Sequence, residues 1–229
     1  AEPSRVGSFG ASPSCNDAPR AASAVDGVPL FDEEICVPGG AFVFGLESSV
    51  PGAGVPAAPE RVAVIPALLV DKYEVTVGRW REATRRGFRP SDPRQLVAHD
   101  DKFGTDLGDA NRNTSQDSLC TYTPTPRWET HALSCVAHDA AAAFCQAEGG
   151  DLLTEAQWEW VALAAGRPKK TAYPWGDGAV TGCAQAVFGR WRSGTIKGEC
   201  FANGSGDLQG FGPLPVDARA TGDVTPLGI

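Results

Sequence analysis

Seven cysteines, at 15, 36, 120, 135, 145, 183 and 200, are the residues of this 229-residue chain best equipped for chemistry. As thiolates they could hold a soft metal, but that requires two of them brought together in a closed pocket. They fall in short-range couples rather than in the C-x-x-C pairs of a zinc ribbon, so disulfides in an oxidising compartment are the expected use. The three histidines, His99, His131 and His138, have spacings that fit no helical metal pair, and each reads as a surface or core-edge side chain. No Ser-His-Asp order, G-x-S-x-G elbow or P-loop occurs, which removes the usual hydrolase and nucleotide-binding readings. "NTS" at 113 and "NGS" at 203 fit the glycosylation triplet, against an Ala- and Arg-rich composition of bacterial appearance.

The elements that must position these residues are short. Residues 1–35 are small, Pro-punctuated and aperiodic, and are expected to be a flexible or disulfide-tethered arm, leaving 36–229 as the domain. In "ICVPGGAFVFG" Phe42 and Phe44 alternate with Ala41 and Val43 behind a Pro-Gly-Gly turn, which predicts a strand. "RVAVIPALLVDKYEVT" predicts two more. Thr76 is the expected N-cap of a helix in which Val77, Trp80 and Thr84 share a face and Gly87 stops the chain. Residues 88–127 form a polar excursion, and its Tyr122 with the adjoining Trp128 could meet a ligand.

Asp139 is the expected N-cap of a second helix that ends at Gly149. A third helix follows in "LLTEAQWEWVALAAG", with Leu152 and Leu153 as a short buried strand leading in and Thr154 and Gln157 as a capping box. There Trp158, Val161, Ala162 and Ala165 should form the core face. Trp160 should lie off it, packed with Leu163 under the "YPWGD" turn. Short strands, modest helices and much irregular chain predict an α+β fold.

The chain is large enough to bury a core, with 42% hydrophobic residues, and its net charge of -8 argues against a nucleic-acid surface. No apolar run reaches the roughly 20 residues of a membrane helix. With no methionine, Ala1 is expected to be a cleaved N-terminus or the edge of a longer chain.

"VPGGAFVFG", "VDKYEVTVGRW", "LSCVAHDAAAAFCQAEGGDLLTEAQWEWVALAAG" and "YPWGD", in this order, resemble the formylglycine-generating enzyme, or sulfatase-modifying factor, family. The resemblance implies a C-type-lectin-like α+β scaffold with little regular secondary structure. It implies that the catalytic third, with its copper-binding cysteine pair, would follow Ile229 and is missing from this chain. By the same resemblance Cys120 pairs with Cys135, and Cys183 is expected to pair with Cys200 and Cys15 with Cys36, each bond contributing about 3 kcal/mol. Cys145 is left unpaired or inter-chain. A calcium site could use Asp207, although Val187 stands near the place where the family carries Asn.

Three functions follow as expectations. The first is a secreted, periplasmic or cell-surface module without catalysis, which binds or supports a second polypeptide, either another subunit or its own cleaved C-terminal fragment. The second is a copper-dependent oxidase that makes formylglycine from a sulfatase cysteine, its cysteine pair carried on a companion fragment. The third is an extracellular lectin-like ligand binder. Exposed edges left by an incomplete domain favour association with another chain.

Overall fold

A computed structural model describes residues 6–7, 15–45, 60–99, 120–178, 192–193, 196–197, 213–218 and 224–229. Its strands in chain order are β1 (Val6–Gly7), β2 (Ala24–Val25), β3 (Val28–Pro29), β4 (Glu34–Val37), β5 (Gly40–Phe44), β6 (Arg61–Ile65), β7 (Leu68–Asp71), β8 (Arg192–Ser193) and β9 (Ile196–Lys197). The helices are α1 (Val77–Arg85), α2 (His138–Ala147) and α3 (Glu155–Glu159), which runs into one π-helical turn at Trp160–Ala164. All the strand pairs are antiparallel: β1-β5-β6, β2-β3, β4-β7 and β8-β9. Mixed helices with small antiparallel sheets make the arrangement α+β.

The β5 pattern places both phenylalanines inside, although Ala41 between the turn and Phe42 is buried as well. Phe42 and Phe44 are buried, and they pack with Val37, Ile65, Trp160 and Val161 in one core cluster. A second cluster joins α1 to α2, where Trp80 stacks on Phe144 with centroids 5.1 Å apart and Phe88 meets both edge-on. Thr76 caps α1 by accepting from the Arg79 N–H, and the free N–H groups of Val77 and Gly78 donate to His131 and Glu129 carbonyls.

Before residue 36 the chain is tied to the domain by Cys15–Cys36. It also forms a hairpin, β2-β3, whose turn places Asp26 at φ 50° and Gly27 at φ 80°. Positive φ at both central residues is the type I′ geometry that Asp-Gly favours.

Four local expectations are corrected. The α2 helix begins two residues early, with Ala137 as a cap that makes no side-chain bond, while Asp139 sits in the first turn and favours the helix dipole from there. Leu152 and Leu153 are half-buried and irregular rather than a strand. The two tryptophans exchange places: Trp160 is 4% exposed and Trp158 59% exposed. The cause is the π turn, where the Ala165 N–H donates to the Trp160 carbonyl five residues back. That wider turn shifts the buried face, so the five-residue α3 leaves Trp158 outward while Val161, Ala162 and Ala165 stay inside. Trp160 meets Phe42 at 5.4 Å and donates from Nε1 to the Pro38 carbonyl, instead of lying under the YPWGD turn.

Candidate functional site

The capping box fixes where Trp158 stands. Thr154 Oγ1 accepts from the Gln157 N–H, Gln157 Oε1 accepts from the Thr154 N–H, and α3 starts in register. Trp158 then forms one wall of an open groove of about 580 Å³. Leu153 and the π-helical Val161 and Ala162 continue that wall. The end of β7, Val70 and Asp71, with Lys72, Tyr73 and Glu74 after it, forms the opposite side. Val216, Val224 and Ile229 add further apolar surface. Thr225 organises the last of these, since its N–H donates to the Ile229 carbonyl and its hydroxyl accepts from the Leu227 and Ile229 N–H groups.

The polar end of the groove is held from behind. Asp71 Oδ2 accepts from Arg79 Nη1 at 2.7 Å, and Oδ1 accepts from Arg20 Nη2 at 2.9 Å. Arg79 is 2% exposed, lies over the Phe144 ring, and has Glu148 3.8 Å from its Nε. Its charge is thus spent on Asp71 and Glu148, as a buried cation requires. On the far side of the third helix, Lys170 reaches the carbonyls of Val43 and Gly45 and the Glu159 carboxylate, clamping the turn after the π helix to β5.

The cysteines are arranged for disulfides. Cys15–Cys36 has a Cα separation of 5.8 Å and Cys120–Cys135 one of 5.3 Å, within the range that a disulfide spans. These bonds are consistent with an oxidising setting. No helix among the described residues is long and apolar enough to cross a membrane. Cys183, Cys200 and the calcium candidate Asp207 lie outside the described residues.

Cys145 is the free cysteine among the described residues, half-buried on α2. Burial pushes its thiol up, and the nearby Asp71 carboxylate adds to this against the opposing pull of Arg79. A copper(I) site needs two accessible thiolates. One half-buried cysteine that resists ionisation does not fit that requirement, and no group of three or more metal-ligating side chains assembles among the described residues.

The three histidines join no cluster of three or more metal-ligating side chains among the described residues. His99 is buried, with Nδ1 3.2 Å from the Cys120 carbonyl and its ring edge-on to Trp128, while His138 is exposed at the start of α2. Tyr122 and Trp128 each lie under a cation, Arg81 and Arg127 respectively. Sequence reasoning missed the groove: its walls come from segments far apart in the chain, and only the exposure of Trp158, which the helical periodicity hid, could have pointed to it.

The sequence profile described as the sulfatase-modifying factor enzyme 1-like domain matches residues 21–205, well over half of the chain. No curated protein matches it. The profile spans β2 through β9, including the capped α3 and the aromatic turn, and the chain belongs to the sulfatase-modifying factor enzyme 1-like family.

Proposed function

We propose that the chain is a secreted, periplasmic or cell-surface binding or structural module that does no chemistry itself and receives a second polypeptide in its groove. The observation that carries this reading is Trp158, 59% exposed on the wall of an apolar groove instead of buried in the core. Tryptophan in a concave apolar surface is the side chain that most often anchors a polypeptide partner, because it buries a large area with little rotamer entropy. Of the charged residues lining the groove, Asp71 is engaged by two arginines and Lys72 by Glu33. The reading includes a C-type-lectin-like scaffold on which the second polypeptide is another subunit or a cleaved fragment of the same protein. The two disulfides support a place outside the cytoplasm.

Native mass spectrometry of the protein purified from its source tests this. A complex with a second polypeptide is expected, and Trp158→Ser should release it. A monomer from the unaltered protein, at every concentration measured, would refute the reading.

Family membership favours a second reading, a copper-dependent oxidase that converts a sulfatase cysteine to formylglycine. The described residues do not fit a dithiolate copper site, and this reading takes the cysteine pair from a companion polypeptide. Oxygen consumption by the copper-loaded complex with a cysteine peptide separates the readings: turnover supports the oxidase, and its absence in the complete complex rejects it.

A further inference from the structure

We infer that the Cys15–Cys36 disulfide is a redox latch on the groove, and that its reduction by a dithiol releases Arg20 from Asp71 and loosens the β7 wall. This rests on the reading of the groove as the binding surface. Cys36 lies in β4 opposite Leu69 of β7, so the bond anchors residues 15–20 directly on the β4-β7 ladder. Residues 16–19 are exposed, and on the N-terminal side of that short run the disulfide is joined by the Cys15 N–H, which donates to Cys36 Sγ at 3.1 Å.

At the other end of the run stands Arg20. Its N–H donates to Glu34 Oε2, and its carbonyl accepts from the Glu34 N–H, which ties it to the outer edge of β4. Its guanidinium then crosses the sheet: Nε donates to the Asp32 carbonyl, and Nη2 donates to Glu34 Oε1 and Asp71 Oδ1. Nη1 lies 3.9 Å from Glu148 Oε2, just past the end of α2. One side chain therefore joins β4, β7 and the end of α2, and Asp71 belongs to the groove.

The two described disulfides differ in access. Cys15 and Cys36 are both partly accessible, whereas in the other bond only Cys135 is and Cys120 is 1% exposed, so an external dithiol can approach Cys15–Cys36 from either sulfur. A thiolate of the dithiol attacks one sulfur and expels the other as a thiolate. The second thiol of the dithiol then displaces the remaining protein sulfur. Two electrons and two protons pass to Cys15 and Cys36, and the dithiol leaves as a cyclic disulfide.

Hydrogen exchange read by mass spectrometry tests the latch on the full chain, with disulfide mapping to confirm which bond has opened. Three samples are compared with the oxidised protein: the wild type after limited dithiothreitol treatment, the Cys15→Ser/Cys36→Ser variant, and Arg20→Gln with its disulfide intact. The expected result is several-fold faster exchange at residues 68–74 in all three, with residues 77–85 of α1 unchanged. Unaltered exchange at 68–74 after Cys15–Cys36 opens would overturn the proposal. So would loss of protection in α1 on selective reduction, because the bond would then be a general staple. The readout needs no partner, so a latch that responds while Trp158→Ser leaves association untouched would refute the groove reading alone.

Discussion

Trp160 covers Gly40 so closely that a Cβ added to Gly40 would fall 2.5 Å from Trp160 Cη2. The same indole donates from Nε1 to the Pro38 carbonyl at 3.1 Å, so one side chain locks the π turn onto β5. Gly40→Ala is therefore expected to destabilise the domain by about 1–3 kcal/mol through overpacking. Trp160→Ala should cost about 3–5 kcal/mol through the cavity it leaves. Denaturant melts measure both, and a Gly40→Ala midpoint equal to wild type would contradict the packing described.

Lys170 and Glu159 form a largely enclosed pair, with side chains 8% and 14% exposed, and Lys170 also donates to two β5-region carbonyls. Removing one partner strands the other. Lys170→Met should cost about 3–5 kcal/mol, and adding Glu159→Gln should recover part of that loss. Equal melting of Lys170→Met and wild type would show that the clamp does not hold the turn.

Asp32 gives the stability a defined acid dependence. Burial acts to raise its carboxyl, but the Ser23 hydroxyl and N–H, donating at 2.7 and 2.8 Å, outweigh it and hold the group below the ordinary carboxylate range. A depressed folded-state value means the stabilisation is present above the unfolded value, about 4, and is lost as pH falls through the folded one. Wild type should therefore melt above Asp32→Asn at neutral pH, with the difference shrinking below pH of about 4. A constant difference across that range would contradict the assignment.

Cys145 should be slow to react. Its burial and the neighbouring Asp71 disfavour the thiolate, the form that alkylates. Iodoacetamide labelling followed by peptide mapping should show little modification of Cys145 in the folded protein near neutral pH, and a marked rise in alkaline buffer or denaturant. Rapid labelling at neutral pH would show an activated thiol and reopen a chemical role.

The sequence was legible where the signal was local. Thr76 and Thr154 cap their helices as their neighbours predict, and the alternation around Phe42 marks β5 correctly. The hairpin at Asp26-Gly27 also had a local signal, hidden in a stretch whose composition reads as an arm. The tryptophan exchange was not legible, because a π turn changes the helical period without any residue that announces it. Nor was Arg79, a cation at the heart of α1 whose burial depends on Asp71 and Glu148, which arrive from other elements. The groove is of the same kind, being assembled from β7, the third helix, Val216 and residues 224–229. Family motifs name the family, while the groove comes from the tertiary arrangement.

The central claim is that this groove holds a second polypeptide, and the most direct measurement is hydrogen exchange on the protein as purified from its source, before and after the partner is dissociated. The account predicts protection at residues 70–74 and 153–162 in the complex, lost on dissociation and absent in Trp158→Ser. Protection elsewhere, with those two segments exchanging equally in both states, would contradict it.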